Sequence, residues 1–133
     1  MAIHYNEEKL IELCRKYGLS LVVLHDSYAK GITHLRSDVD IGFLGEPEII
    51  KRKHLDIAGD SSAIFGDKFD PVFLNGAEAM ISYHVAMNGK PLYEKTRGLF
   101  NSFRMGAIGR YLDTKIFRVL EKQYIRSAIQ KRK

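Results

Sequence analysis

At 133 residues, 45% hydrophobic and 28% charged, the chain is long enough for one domain around one core and too apolar for a disordered segment. A single cysteine excludes an internal disulfide and fits a reducing cytoplasm, the apolar run Leu19–Leu24 is far too short to span a bilayer, and Met1–Glu8 lacks the basic-then-apolar pattern of a secretory leader. The net charge of +5 is uneven: from Arg110 onward eight Lys or Arg stand against two acids, +6, and the remainder carries −1, so the basic end reads as a solvated helix face or a site for an acidic partner.

Asn6 with Glu7 and Glu8 reads as an N-cap and an acidic first turn. Leu10, Ile11, Leu13, Cys14 and Tyr17 supply an apolar stripe and Gly18 a stop, which predicts a helix over about 6–17. Cys14 then belongs to the core and not to chemistry. Leu19–His25 predicts a buried strand. Asp26-Ser27 turns the chain, Tyr28–Gly31 has the length of one helical turn, and Ser37–Leu44 predicts a second strand. Pro47 opens a second helix, expected to run to about Ala58 and to break at Gly59-Asp60-Ser61-Ser62.

Lys68–Leu74 predicts a third strand. Pro71 cannot donate to a ladder, which places this strand at an edge or at a bulge. Ala77–Met87 predicts a third helix, stopped at Asn88-Gly89, and Leu92-Tyr93 follows Pro91 as a short extended segment. From about Lys95 apolar residues recur at near-3.6 spacing, as one bent helix or as two, weakened in the middle by Gly106 and Gly109. The expected fold is α/β (α+β): a small mixed β-sheet with flanking helices, carried by residues 1–94, and a C-terminal helical extension of the same domain over 95–133.

Chemistry concentrates around the second strand. Side chains alternate along a strand, so Asp38 and Asp40 point to one face while Val39 and Ile41 point to the other. Two carboxylates side by side repel, and a strand that keeps them has use for a cation; oxygen ligands suit Mg²⁺. Asp70 sits among the apolar neighbours of the third strand, which favours it over Asp67 and Asp60 as a further acid of the site. The five histidines show no metal-ligand spacing. His25, just before the turn, reads as ordinary packing, with a position facing the site as the alternative; His34 reads as solvated.

Together these residues resemble the polymerase-β-like nucleotidyltransferases, in which a strand leads into Gly-Ser-x-Ala-x-Gly and then Ser-Asp-x-Asp-hydrophobic. This chain reads Asp26-Ser27-Tyr28-Ala29-Lys30-Gly31, then Ser37-Asp38-Val39-Asp40-Ile41. Asp70 fits the third acid of the family. Leu74-Asn75-Gly76-Ala77 and Asn88-Gly89-Lys90-Pro91-Leu92-Tyr93-Glu94 resemble the small stand-alone members, the minimal nucleotidyltransferases, and the resemblance covers about residues 8–94.

The resemblance implies an Mg²⁺-dependent transfer of a nucleotidyl group, AMP from ATP, to a hydroxyl. Asp38, Asp40 and Asp70 would bind metal, two ions being expected, and serve catalysis; Ser27, Lys30 and Gly31 would hold the triphosphate. It further implies an antitoxin whose acceptor is a tyrosine of a HEPN-type toxin. A homo-oligomer stays open, no membrane is expected, and a nucleic-acid partner for the basic end ranks last, since few aromatics form stacking platforms and no nucleic-acid motif is present. The chain departs from the pattern where Asp26 replaces Gly and Tyr28 replaces a frequent Arg. A carboxylate 4 Å from a phosphate charge costs about 4 kcal/mol at an effective dielectric of 20. The alternative reading is therefore a nucleotidyltransferase fold that neutralises its partner by contact alone. Transfer to a small molecule is a third reading, which only about 40 residues beyond the matching segment would have to serve.

Overall fold

In the computed structural model, which describes residues 5–25 and 39–131, the helices are α1 (Glu7–Tyr17), α2 (Pro47–Phe65), α3 (Ala79–Asn88) and α4 (Leu99–Lys131), and the strands β1 (Leu19–His25), β2 (Val39–Gly45), β3 (Phe69–Phe73) and β4 (Lys90–Glu94). The strands form one mixed sheet in the order β3-β2-β1-β4. β1 is antiparallel to both of its neighbours, and β2 and β3 run parallel. The two proline-bearing strands, β3 with Pro71 and β4 with Pro91, take the two edges, where a missing N–H costs no ladder bond.

Strand alternation divides the core in two. Val22, Leu24, Ile41 and Phe43 face α1 and α2, and pack with Leu10, Leu13, Cys14 and Ile57. Leu21 and Val23 face the other way, against Leu74, Val85 and Phe100. Cys14 is buried and its thiol is pushed up to about 12 by that burial, in keeping with a core role. α1 starts as expected, with the Asn6 side chain accepting from the Lys9 N–H at 3.1 Å, and ends on Gly18 at φ +63°.

One expectation needs correction, and two others are made definite. α2 does not break at Gly59 but continues to Phe65. Ser61 and Ser62 turn their hydroxyls back onto the carbonyls of Ile57 (2.6 Å) and Gly59 (2.7 Å), so these helix-averse side chains bond within the helix. Asp60 accepts from Tyr17 Oη at 2.5 Å and from Lys16 Nζ at 3.2 Å, which fixes this stretch against α1. The extended segment expected at Leu92-Tyr93 lies within β4, for which β1 supplies a partner. The C-terminal region is one helix, and Gly106 and Gly109 lie within it.

Two contacts tie down the end of the sheet at Gly45 and Glu94. The Asn75 side chain donates to Gly45 O at 2.7 Å and accepts from Gly45 N–H at 3.1 Å, closing the far end of the β2–β3 pair. Glu94 accepts from the Phe100 N–H at 2.8 Å, placing a carboxylate at the positive end of α4.

Candidate active site

The end of β1, the start of β2 and the start of β3 meet at one end of the sheet. His25 pairs with Asp40 across the antiparallel ladder, and Asp40 pairs with Asp70 across the parallel one. Residues directly opposite in a ladder share a face, so His25, Asp40 and Asp70 form a row across three strands. Ile41 and Phe43 face α1 and α2; Asp40 therefore points to the α3–α4 side, and with it the row.

The members of the row differ in environment. Asp40 is 8% and His25 7% exposed, whereas Asp70 is exposed. His25 Nδ1 lies 4.0 Å from Asp40 Oδ2. Adjacent strands are about 4.8 Å apart, so Asp40 and Asp70 bring two like charges close. A buried carboxylate beside an exposed one, with only oxygen donors between them, is a set that suits a hard divalent cation such as Mg²⁺. Among the described residues no three His, Cys, Asp or Glu side chains converge.

Asp38, Ser27, Lys30 and Gly31 lie outside the described residues, as do Asp26, Tyr28 and His34. Asp40 and Asp70 stand opposite each other in the β2–β3 ladder. The rival acids are elsewhere: Asp67 is exposed in the turn before β3, and Asp60 is engaged with Tyr17 and Lys16 between α1 and α2. His25 is the residue whose ordinary-packing reading needs revision, since it stands beside Asp40. Its signal was positional: it closes the strand that precedes the turn and pairs with the Asp-x-Asp strand.

Comparison with known proteins agrees with this geometry. The family model described as Polymerase beta, Nucleotidyltransferase matches residues 8–98. Protein adenylyltransferase MntA of Shewanella oneidensis is 30% identical over 90 residues, which make up 66% of this chain and 65% of that relative; the match thus spans just under two thirds of the relative's length. A chain in a crystal structure of a toxin–antitoxin with AMP-PNP superposes with a TM-score of 0.63 at 26% identity, covering 94% of this chain and 98% of that one. A chain in a mutant of the toxin–antitoxin MntA-HpeT superposes with a TM-score of 0.66 at 26% identity, covering 96% of this chain and 99% of its own. No described helix is long and apolar enough to cross a membrane. The carboxylate row and the match over residues 8–98 lead to one conclusion: the chain belongs to the polymerase β nucleotidyltransferase family.

Proposed function

We propose that this chain transfers AMP from ATP to a hydroxyl of a partner protein, a tyrosine of a HEPN-type toxin, and so acts as an antitoxin in the cytoplasm. The observation that carries this reading is the in-register pair Asp40–Asp70. The adenylyltransferase relative and the toxin–antitoxin neighbour with AMP-PNP support the nucleotide and the partner class.

Asp40, with Asp38, would hold Mg²⁺, and Asp70 would complete the set. When bound, the metal screens the triphosphate and stabilises charge on the attacking and leaving oxygens. Exposure of Asp70 leaves it open to an incoming hydroxyl. Asp70 would take the proton of that hydroxyl. The hydroxyl oxygen then bonds to the α-phosphorus, the bond from the α-phosphorus to the oxygen bridging to the β-phosphorus breaks, and pyrophosphate leaves. Ser27, Gly31 and Lys30 would hold the β- and γ-phosphates through backbone amides, hydroxyl and charge. Buried His25 would keep the Asp40 carboxylate aimed along the row.

Thermal unfolding with ATP, with and without Mg²⁺, tests the site, because a ligand of the native state must raise its stability. The expected result is an Mg²⁺-dependent rise in Tm that disappears in Asp38→Asn/Asp40→Asn. No rise at millimolar ATP would sink the enzymatic reading and leave neutralisation by contact.

A further inference from the structure

We propose that the projecting half of α4 is the docking element for the partner, and that its occupant is a protein surface with an apolar groove and an acidic rim. The proposal rests on the partner reading above and assigns it a surface.

α4 divides near Tyr111. Up to that point it packs on its own chain: Phe100 and Ala107 are buried, and Tyr111 stacks on Tyr83 with ring centroids 4.0 Å apart. Every residue from 112 to 131 is exposed. Those twenty residues rise about 30 Å at 1.5 Å each, and most helical stability in proteins comes from packing an amphipathic face, which this stretch lacks within its own chain. Yet this stretch is not polar. Leu112, Ile116, Leu120 and Tyr124 recur every four residues with Phe117 beside them, and Phe117 and Leu120 are 70% and 58% exposed. A stripe of this kind, uncovered by its own chain, is the mark of a face that is buried against something else.

The charges select the occupant. Lys115, Arg118, Lys122 and Arg126 follow one another at spacings of three and four, which lines them along one edge of the apolar stripe. From Arg110 to the end only Asp113 and Glu121 oppose eight cations. A second copy laid antiparallel on this face would set one basic edge against the other. An acidic rim gives the complementary charge.

The comparisons carry the same division. The family model stops at residue 98, one residue before α4 begins. The toxin–antitoxin chains instead cover 94% and 96% of this chain, which leaves no room for a twenty-residue projection to fall outside the match. The projection thus lies beyond the segment the family model matches and within the length that superposes on chains from toxin–antitoxin structures. This sets a protein groove above a membrane surface, for which a basic amphipathic helix would otherwise serve.

The test is equilibrium binding of the full-length chain to a HEPN-type toxin chain from the same genome. Two variants are compared with wild type: Ile116→Asp/Leu120→Asp on the stripe and Lys115→Glu/Arg118→Glu/Lys122→Glu on the edge. The stripe variant is expected to bind roughly thirtyfold more weakly or worse, and the edge variant about tenfold more weakly, with a reduced salt dependence. Both should keep wild-type stabilisation by ATP with Mg²⁺. Wild-type affinity in either variant overturns the proposal and leaves the antitoxin reading intact. So does sedimentation showing a wild-type dimer that the stripe variant dissociates, or flotation of the wild-type chain alone with phosphatidylserine-containing vesicles that the edge variant loses. Absence of any complex with the wild-type chain removes the toxin partner and the docking proposal together, while the ATP measurement reports on the nucleotide site separately.

Discussion

The two faces of the sheet are built from the same four strands and do different work. The face toward α1 and α2 is closed: Phe43, Ile41 and Val22 are fully buried there, with Leu10 and Ile57 over them. The face toward α3 and α4 is packed around Val23, Leu74 and Val85, and at its end carries an acid pair with a buried histidine. A strand two residues long in repeat can serve both, because Asp40 and Ile41 are adjacent in sequence and point in opposite directions. The lesson is that the site's carboxylate needs no loop of its own: its position is set by the packing of its neighbour on the opposite face.

The comparison is broken most severely by opening the closed face. Phe43 is 0% exposed and stacks on Phe73, with centroids 5.6 Å apart. Phe43→Ala is expected to cost about 3–5 kcal/mol in urea unfolding, a large part of a typical domain's stability. At low temperature, where the variant is folded, it should still be stabilised by ATP with Mg²⁺. A loss below about 1 kcal/mol would show that this face is not the support assigned to it.

Asp40→Asn is the opposite case. It keeps the shape of the side chain and removes one charge from the pair. AMP transfer is expected to fall about a hundred- to thousandfold, while Tm stays level or rises, since like-charge repulsion across β2–β3 is relieved. A fall in Tm as large as that of Phe43→Ala would make Asp40 a structural residue and not a working one.

How far these faces could be read from sequence depended on what each signal contains. Pro71 left β3 at an edge or a bulge, and only the sheet order decides for the edge; Asp70 stood out by its apolar flanks and its fit to the family pattern, while its register with Asp40 is visible only in the ladder. His25 was hidden because Leu19–His25 is apolar almost throughout, so no alternation shows which way its last residue points; only the register with β2 decides it. α2 was cut short because Gly59, Ser61 and Ser62 are local breakers, whereas the contact that extends the helix, Tyr17 to Asp60, lies 43 residues apart in sequence. β4 is five residues with a proline, too short for a pattern, and exists because β1 offers an open edge. α4 passes through Gly106 and Gly109, where an added Cβ would meet nothing within 4 Å; each costs a helix about 1 kcal/mol relative to Ala, and the flanking turns outweigh that. Ser27, Lys30, Gly31 and Asp38 lie outside the described residues, so their part of the site rests on the motif.

The smallest expected effect refines the comparison at the outer seam of the closed face, where Tyr17 and Lys16 of α1 meet Asp60 of α2. Asp60 is held below its ordinary 3.8, first by the Tyr17 hydrogen bond and then by Lys16. Tyr17 is raised above 10.0, chiefly by the same bond. A depressed carboxylate contributes stability that is present above 3.8 and is lost as pH falls through its folded value. A raised phenol contributes stability that is present below 10.0 and is lost as pH climbs through its folded value. Tyr17→Phe should therefore lower stability at neutral pH, and the gap from wild type should narrow at both extremes. The Lys16 and Asp60 side chains are 64% and 45% exposed, so solvent and salt screen the seam and the gap stays well below that of Phe43→Ala. Urea unfolding of the two proteins across the acid range checks the sign: a gap near zero at every pH would mean that the seam is held by packing of the ring, which phenylalanine keeps, and that the α1–α2 contact owes nothing to the Asp60 charge.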